Sequence, residues 1–335
     1  MIIVMGAFDG FHRGHALLFE RARHIAKRTG GGWGVVTFEP HPGKFMGSLD
    51  KTLFTERERE RIACFLDIPH FVVLKFDDRL RSLSPEVFLK ELTDKISVDG
   101  VVVGTDFRFG FAQRGDVRLL EEVCRSQALA FEAVPLLRSR GEKLSSTLIR
   151  ESVEAGDFGG AEAELGYPWF LLGEVVRGSG RGRDLGFPTA NLKTDKDRVL
   201  PPHGVYAVLL PLGQSWKSGA LSIGTNPTFP DVTELRIEVF LLDFEGELYG
   251  EELPVLFLER LRPEIRFENS LLLTNRIKKD VERCREICQR AKQEKAPLLK
   301  KILSSLRKGK EGEHPSKNSQ SILAKGCLRG PLSKP

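Results

Sequence analysis

A chain of 335 residues with 41% hydrophobic side chains runs longer than one domain usually does, which predicts two domains with ordinary cores. Its apolar runs stop far short of the roughly 20 residues a membrane-spanning helix needs, and Met1-Ile2-Ile3-Val4-Met5-Gly6 lacks the basic start and cleavage site of a signal peptide, so a cytoplasmic protein with no membrane partner is expected. The formal net charge of +5 is misleading: residues 291–335 hold eleven Lys and Arg against three Asp and Glu, and that local +8 leaves −3 on residues 1–290.

The cysteines, Cys64, Cys124, Cys284, Cys288 and Cys327, are odd in number and scattered, which excludes a disulfide scaffold. Cys284 and Cys288 can share a helix face, but two thiols without further Cys or His make a poor zinc site, so they read as structural.

From residue 1 to about 132, short β-rich runs at 2–5, 34–38, 71–74, 100–103 and 130–134 alternate with helical patterns at 15–28, 55–65, 85–95 and 117–125. The alternation predicts a doubly wound parallel sheet, in which ligands sit at the carboxyl ends of the strands. Helices near 146–155 and 158–165 follow. Strands near 171–176, 204–210, 220–223, 235–242 and 253–257, separated by Gly, Pro and Asp turns, then suggest a small antiparallel barrel. A long amphipathic helix is expected over 270–293, with disorder over 309–335 from its Lys, Ser, Gly and Pro content. The domain reading is therefore 1–165, 166–293, and a basic, disordered tail over 294–335.

Gly6-Ala7-Phe8-Asp9-Gly10-Phe11-His12-Arg13-Gly14-His15 joins the first strand to the first helix. Amide groups at a helix N-terminus favour an anion. Gly10 and Gly14 would allow close approach, and His12 and His15 could donate to charge developing on a transferring phosphoryl group. A second constellation, Gly178-Ser179-Gly180-Arg181-Gly182-Arg183-Asp184-Leu185-Gly186-Phe187-Pro188-Thr189-Ala190-Asn191-Leu192, can wrap phosphates with backbone amides and offer a hydroxyl and an amide oxygen to Mg²⁺.

The first segment resembles the HxGH-type nucleotidyltransferases. Thr37-Phe38-Glu39-Pro40-His41-Pro42, Val103-Gly104-Thr105-Asp106-Phe107-Arg108-Phe109-Gly110 and Leu144-Ser145-Ser146-Thr147-Leu148-Ile149-Arg150 narrow the resemblance to the prokaryotic bifunctional riboflavin kinases and FAD synthetases. So do Gly186-Phe187-Pro188-Thr189-Ala190-Asn191, 200–207, 223–229, 238–244 and 248–250, in the family's order. The resemblance implies a Rossmann-like HxGH nucleotidyltransferase domain followed by a small antiparallel β-barrel flavokinase domain with a terminal helix. It also implies phosphorylation of riboflavin to FMN and adenylylation of FMN to FAD with release of pyrophosphate, using ATP and Mg²⁺.

By position, the resemblance places Gly6, Phe8, Asp9, Gly10, His12, Gly14, His15, Ser145, Ser146, Thr147 and Arg150 around ATP. His41, Asp106, Phe107 and Phe109 fall to FMN and adenosine. Ser-Ser-Thr before an apolar run is equally a helix N-cap, and both roles are compatible. In the second half it assigns Glu238 as the base that takes the ribityl 5′-hydroxyl proton, and Thr189 and Asn191 to metal and phosphate. Gly178, Gly180, Gly182, Arg183, Gly186, Pro188 and Asn226 fall to ATP and flavin. Arg262 stays open between a ligand contact and a surface ion pair.

Two departures are visible: Tyr167 stands where the family usually has Arg, a matter of domain packing, and Gly43 replaces a larger residue after the Glu-Pro-His-Pro segment. Competing readings are another HxGH enzyme, an inactive ligand-binding N-terminal half, and an RNA- or membrane-surface binder acting through the tail. The tail has no aromatic residue for base stacking, so small-molecule substrates without nucleic acid, and a monomer or weak homo-oligomer, are expected.

Overall fold

Ile2–Met5 (β1) turns Ile2 and Val4 toward one layer of helices and Ile3 and Met5 toward the other, and all four are buried, as a strand covered on both faces requires. In the computed structural model, whose described residues are 1–139, 141–178, 182, 186–225 and 235–310, β1 lies at the centre of a parallel sheet. Trp33–Glu39 (β2), Phe71–Lys75 (β3), Gly100–Gly104 (β4) and Ala130–Val134 (β5) complete it in the order β3-β2-β1-β4-β5. The chain reverses direction across the sheet between β1 and β4, and the switch point opens at their carboxyl ends.

One face is covered by Arg13–Thr29 (α1), through Leu18, Phe19, Ala22 and Ala26, and by Glu56–Phe65 (α3), through Ile62, Ala63 and Phe65. Pro42–Phe45 (α2) is a single turn between them. Beyond the turn Asp78–Ser82 (α4), the other face carries Pro85–Lys95 (α5), through Phe88, Leu89 and Leu92, and Val117–Ser126 (α6), through Leu120 and Cys124. A short hairpin, Arg138–Ser139 (β6) with Glu142–Lys143 (β7), leads into Ser146–Ala155 (α7) and Phe158–Leu165 (α8). All these strands and helices that periodicity predicts lie within two residues of their predicted ends.

The second half closes into an antiparallel barrel of Phe170–Val176 (β8), Thr189–Lys193 (β9), Gly204–Leu212 (β10), Ser215–Gly224 (β11), Arg236–Leu241 (β12) and Glu252–Pro263 (β13). β9 is an addition to the expected strands. Ser270–Glu294 (α9) lies on β10 and β11 through buried Cys284, Ile287, Cys288 and Ala291. The thiols of Cys284 and Cys288 donate to the Gly219 and Val208 carbonyls at 3.0 and 3.3 Å, a structural use of both.

The expected tail over 294–335 needs correction. Ala296–Lys310 (α10) is a helix that doubles back onto α3, burying Leu299 and setting Lys301 Nζ 4.9 Å from the centre of the Phe65 ring. The Trp216 indole N–H donates to the Leu299 carbonyl at 3.2 Å. Residues 311–335, including Cys327, lie outside the described residues.

One hydrophobic cluster runs without interruption from the α1 and α3 face of the sheet into the barrel. Tyr167 is buried there between Phe54 and Phe65, so the departure at this position fills a domain contact with an aromatic ring. Across the same contact Glu58 and Arg198 form an ion pair with both side chains fully buried. The Glu58 carboxylate also accepts the Leu172 N–H of β8 at 2.6 Å, and Arg198 donates to the Phe170 carbonyl at 3.1 Å, so neither charge is left uncompensated.

Candidate active sites

At the carboxyl end of β1 the chain turns through Phe8, whose backbone is left-handed at φ 42° and whose ring stands edge-on to His15 at 4.8 Å. A Cβ at Gly6 would lie 2.8 Å from the Phe8 ring, and one at Gly10 would lie 2.6 Å from Leu53, so these glycines permit the turn to pack tightly.

His12 is the N-cap of α1: its Nδ1 accepts the His15 backbone N–H at 3.3 Å. His15 Nδ1 lies 2.6 Å from the Gly10 carbonyl, and the two imidazoles stack at 3.6 Å. A carbonyl can only accept, so His15 carries its proton on Nδ1, whereas His12 carries its proton on Nε2 when neutral. Burial pushes the His12 pKa down to about 4, and burial followed by the charge of His12 holds His15 well below the imidazole range. The helix therefore begins with two neutral imidazoles, of which His12 offers an Nε2–H donor.

Asp9 is buried beside them. It accepts the Leu53 N–H at 2.8 Å and pairs with Arg150 at 2.5 Å, so the first motif and the serine-rich segment are one unit in space. Burial raises the Asp9 pKa and Arg150 opposes the shift. Arg150 also donates to Thr147 Oγ1 at 2.9 Å. Ser145 caps α7 by accepting the Leu148 N–H at 3.4 Å, and Ser146 opens that helix, so the capping role is realised at the edge of the same site.

His41 leaves the end of β2 and accepts the Gly43 N–H at 3.1 Å. Its pKa falls to about 4 through burial, with the charges of Arg59 and Arg150 adding to the effect. Asp106 and Phe107 follow β4, as the sequence places them; Asp106 is ion-paired with Lys143. Phe109 is 6% exposed, stacks on Phe107 at 5.6 Å and packs on Phe88, so its ring is part of the core that backs Phe107.

On the barrel, β12 buries Ile237, Val239 and Leu241 and turns Arg236, Glu238 and Phe240 to the other face. Glu238 pairs in register with Asn191 of β9 and Ser222 of β11, and Phe240 pairs with Thr189. Two glycines that precede β9 lie against it: a Cβ at Gly178 would lie 2.0 Å from the Asn191 amide, and one at Gly182 would lie 3.2 Å from Thr189 Oγ1. Gly186 is left-handed at φ 83°, and Pro188 beyond it is exposed. Gly180, Arg183 and Asn226 lie outside the described residues. Arg262 meets Asp280 of α9 at 2.7 Å in a pair that is largely buried rather than at the surface, and lies 5.7 Å from the Phe267 ring centre.

Two family models match the chain, riboflavin kinase over residues 165–288 and FAD synthetase over residues 1–148. The bifunctional riboflavin kinase/FMN adenylyltransferase of Listeria monocytogenes is 34% identical over 83% of this chain and 90% of its own length. That of Pseudomonas fluorescens is 36% identical over 85% and 92%. The chain belongs to the bifunctional riboflavin kinase/FMN adenylyltransferase family.

A crystal structure described as a macrolide-efflux protein from Streptococcus pneumoniae is also similar, with 30% identity, a TM-score of 0.75, and coverage of 85% of this chain and 93% of that one. Among the described residues of this family member, no helix is long and apolar enough to cross a membrane.

Family motifs led to the His12, His15, Asp9 and Arg150 cluster and to Glu238 with its β9 partners. Arg59, which lies 2% exposed beneath the first site, and Lys143 beside Asp106 were missed. Lys143 belongs to no periodic or glycine-rich pattern; Arg59 lies inside the helical pattern over 55–65, three and four residues before the buried Ile62 and Ala63, but a charged side chain does not register as part of an apolar face.

Proposed function

We propose that this family member phosphorylates riboflavin to FMN on the barrel and adenylylates FMN to FAD at the mouth of the parallel sheet, using ATP in both. The observation that carries the reading is the pairing of Glu238 with Asn191, and of Phe240 with Thr189, on one face of the barrel.

In the kinase reaction, Glu238 takes the proton of the ribityl 5′-hydroxyl as that oxygen attacks the γ-phosphorus and the bond to ADP breaks. The glycines at 178, 182 and 186 leave room for phosphates to approach the backbone closely, and Phe187, edge-on to Phe240 at 5.4 Å, packs above the strand pair. The Thr189 hydroxyl and Asn191 amide oxygen are hard donors of the kind Mg²⁺ accepts. These two residues would hold the ion, which when bound offsets phosphate charge.

In the adenylyltransferase reaction, the α1 N-terminus with the His12 Nε2–H, and the α7 N-terminus with Arg150, receive the ATP phosphates. An FMN phosphate oxygen attacks the α-phosphorus and pyrophosphate leaves. Positioning and charge neutralisation supply the acceleration, without a covalent enzyme intermediate. His41 and Phe107 flank the flavin nucleotide.

We propose further that the chain is cytoplasmic, a monomer or weak homo-oligomer, and without a nucleic-acid partner. Two lysines of the basic C-terminal region are engaged within the fold, Lys295 with Glu162 and Lys301 with Asp67.

Purified protein incubated with riboflavin, ATP and Mg²⁺, with the flavins separated by chromatography, tests the reading. FMN followed by FAD is expected, and a His15→Ala variant should stop at FMN. A parent protein that stops at FMN would overturn the adenylyltransferase assignment.

A further inference from the structure

Arg59 is a charged side chain buried under a site it does not line. It lies on α3, and only 2% of its surface is exposed. Its guanidinium donates to the Ala7 carbonyl at 3.4 Å, to Thr37 Oγ1 at 3.4 Å and to the Phe38 carbonyl at 3.2 Å, and it pairs with the Glu39 carboxylate. Thr37 Oγ1 in turn donates to the Ala7 carbonyl at 3.0 Å.

These acceptors have a common location. Ala7 opens the turn that carries Phe8, Asp9, His12 and His15, and Phe38-Glu39 ends the strand from which Pro40-His41 departs. Two segments that must hold two different substrates therefore rest on one side chain. The planar guanidinium suits this use, since its donors diverge in a fixed plane and can engage several carbonyl oxygens at once.

We infer that Arg59 is a positioning residue for adenylyl transfer: it sets the ATP-cradling turn at the end of β1 against the flavin-side segment at the end of β2. This rests on the adenylyltransferase reading above. Arg59 touches neither substrate, and its effect is on the distance and angle at which the two meet. Small errors of placement at such a junction are costly, about a hundredfold in rate for about 1 Å. The positive charge also acts through space, lowering the pKa values of Asp9, His41 and Glu39 against or alongside the effect of burial.

The test is steady-state kinetics of FAD formation from supplied FMN for Arg59→Met, Arg59→Lys and Thr37→Val, with riboflavin phosphorylation by the same preparations measured in parallel. Arg59→Met should lower kcat for FAD formation at least about tenfold and raise the KM for FMN several-fold, with the KM for ATP and the kinase activity within about twofold of the parent. Arg59→Lys should recover part of the FMN KM, because an ammonium reaches some of the same oxygens. Thr37→Val, which keeps the volume and removes one link, should move the FMN KM in the same direction by about threefold.

A merely structural role would lower the active fraction and leave both KM values untouched. An Arg59→Met enzyme with unchanged FMN KM overturns the inference. If Arg59→Met loses kinase activity as well and so fails to fold, Thr37→Val decides: an unchanged FMN KM in that variant overturns it equally. A parent that makes no FAD overturns the adenylyltransferase reading itself, and a parent that makes FAD sustains that reading whatever Arg59 does.

Discussion

At the mouth of the sheet hydrogen bonds aim the side chains: His15 is held by the Gly10 carbonyl of its own turn, Arg150 by the distant Asp9, and the turn and the strand end by Arg59. On the barrel wall Glu238, Asn191, Thr189 and Phe240 share a face because β12 and β9 pair in that register. A site at a helix terminus needs tertiary hydrogen bonds to hold its side chains, whereas a site on paired strands takes its spacing from the backbone ladder. The first kind is sensitive to remote substitutions and to protonation, and the second to changes in the reacting group itself.

The largest expected effect breaks the barrel side alone. Glu238→Gln keeps the strand and the side-chain volume but removes the base, and should cut FMN formation from riboflavin by about 10²–10⁴-fold while supplied FMN is still converted to FAD. Equal loss of both products would contradict the separation of the two sites.

Glu58→Gln tests the contact between the halves. Removing one partner of a fully buried pair leaves Arg198 uncompensated and should cost about 3–5 kcal/mol in urea-induced unfolding. Replacing both residues with leucine should cost less than either single change, because no charge is then left buried.

Acidification sharpens the contrast next. His12 and His41 have folded pKa values lowered to about 4, and that of His15 is lower than its unfolded value of 6.5 as well. The unfolded chain binds these protons first, so the stability contributed by the neutral imidazoles is complete above pH 6.5 and is lost as pH falls toward 4. The raised Asp9 pKa acts in the opposite sense. Thermal midpoints measured from pH 7.5 to 5 should fall, and His41→Asn should fall less steeply; equal slopes would contradict the assignment.

The smallest effect is at α10. Lys301 is half-exposed where it meets Asp67 and Phe65, and Lys301→Ala should cost under about 1 kcal/mol of unfolding free energy and leave both activities unchanged.

Most of the architecture was legible because its elements carry clean periods. β1 alternates between two buried faces, and α5 begins at Pro85 after the Ser84 cap and ends at Lys95, as its pattern predicts. β9 escaped because Thr189–Lys193 is short, lies between a glycine-rich loop and a turn, and buries only Leu192; its strand conformation comes from β8 and β12 on either side. α10 escaped because its lysines and serines resemble a solvated tail, although Leu299, Ile302 and Leu306 follow helical spacing. The candidate site residues were legible where a motif carried them together. Arg59 and the Glu58–Arg198 pair were not, since pairing between residues 20 to 52 positions apart in the first case and 140 in the second leaves no trace in local pattern.

The unbroken core bears on how this chain can be divided. Trp169 and Tyr206, both fully buried, and Phe54 and Tyr167, nearly so, belong to one cluster that no surface separates into two. A cut at the junction near residue 166 would expose aromatic faces on each fragment, and α10 would leave with the barrel and strip its cover from α3. Calorimetry should accordingly record a single cooperative transition, and a substitution selected for its benefit to one catalytic half will shift the melting of the other.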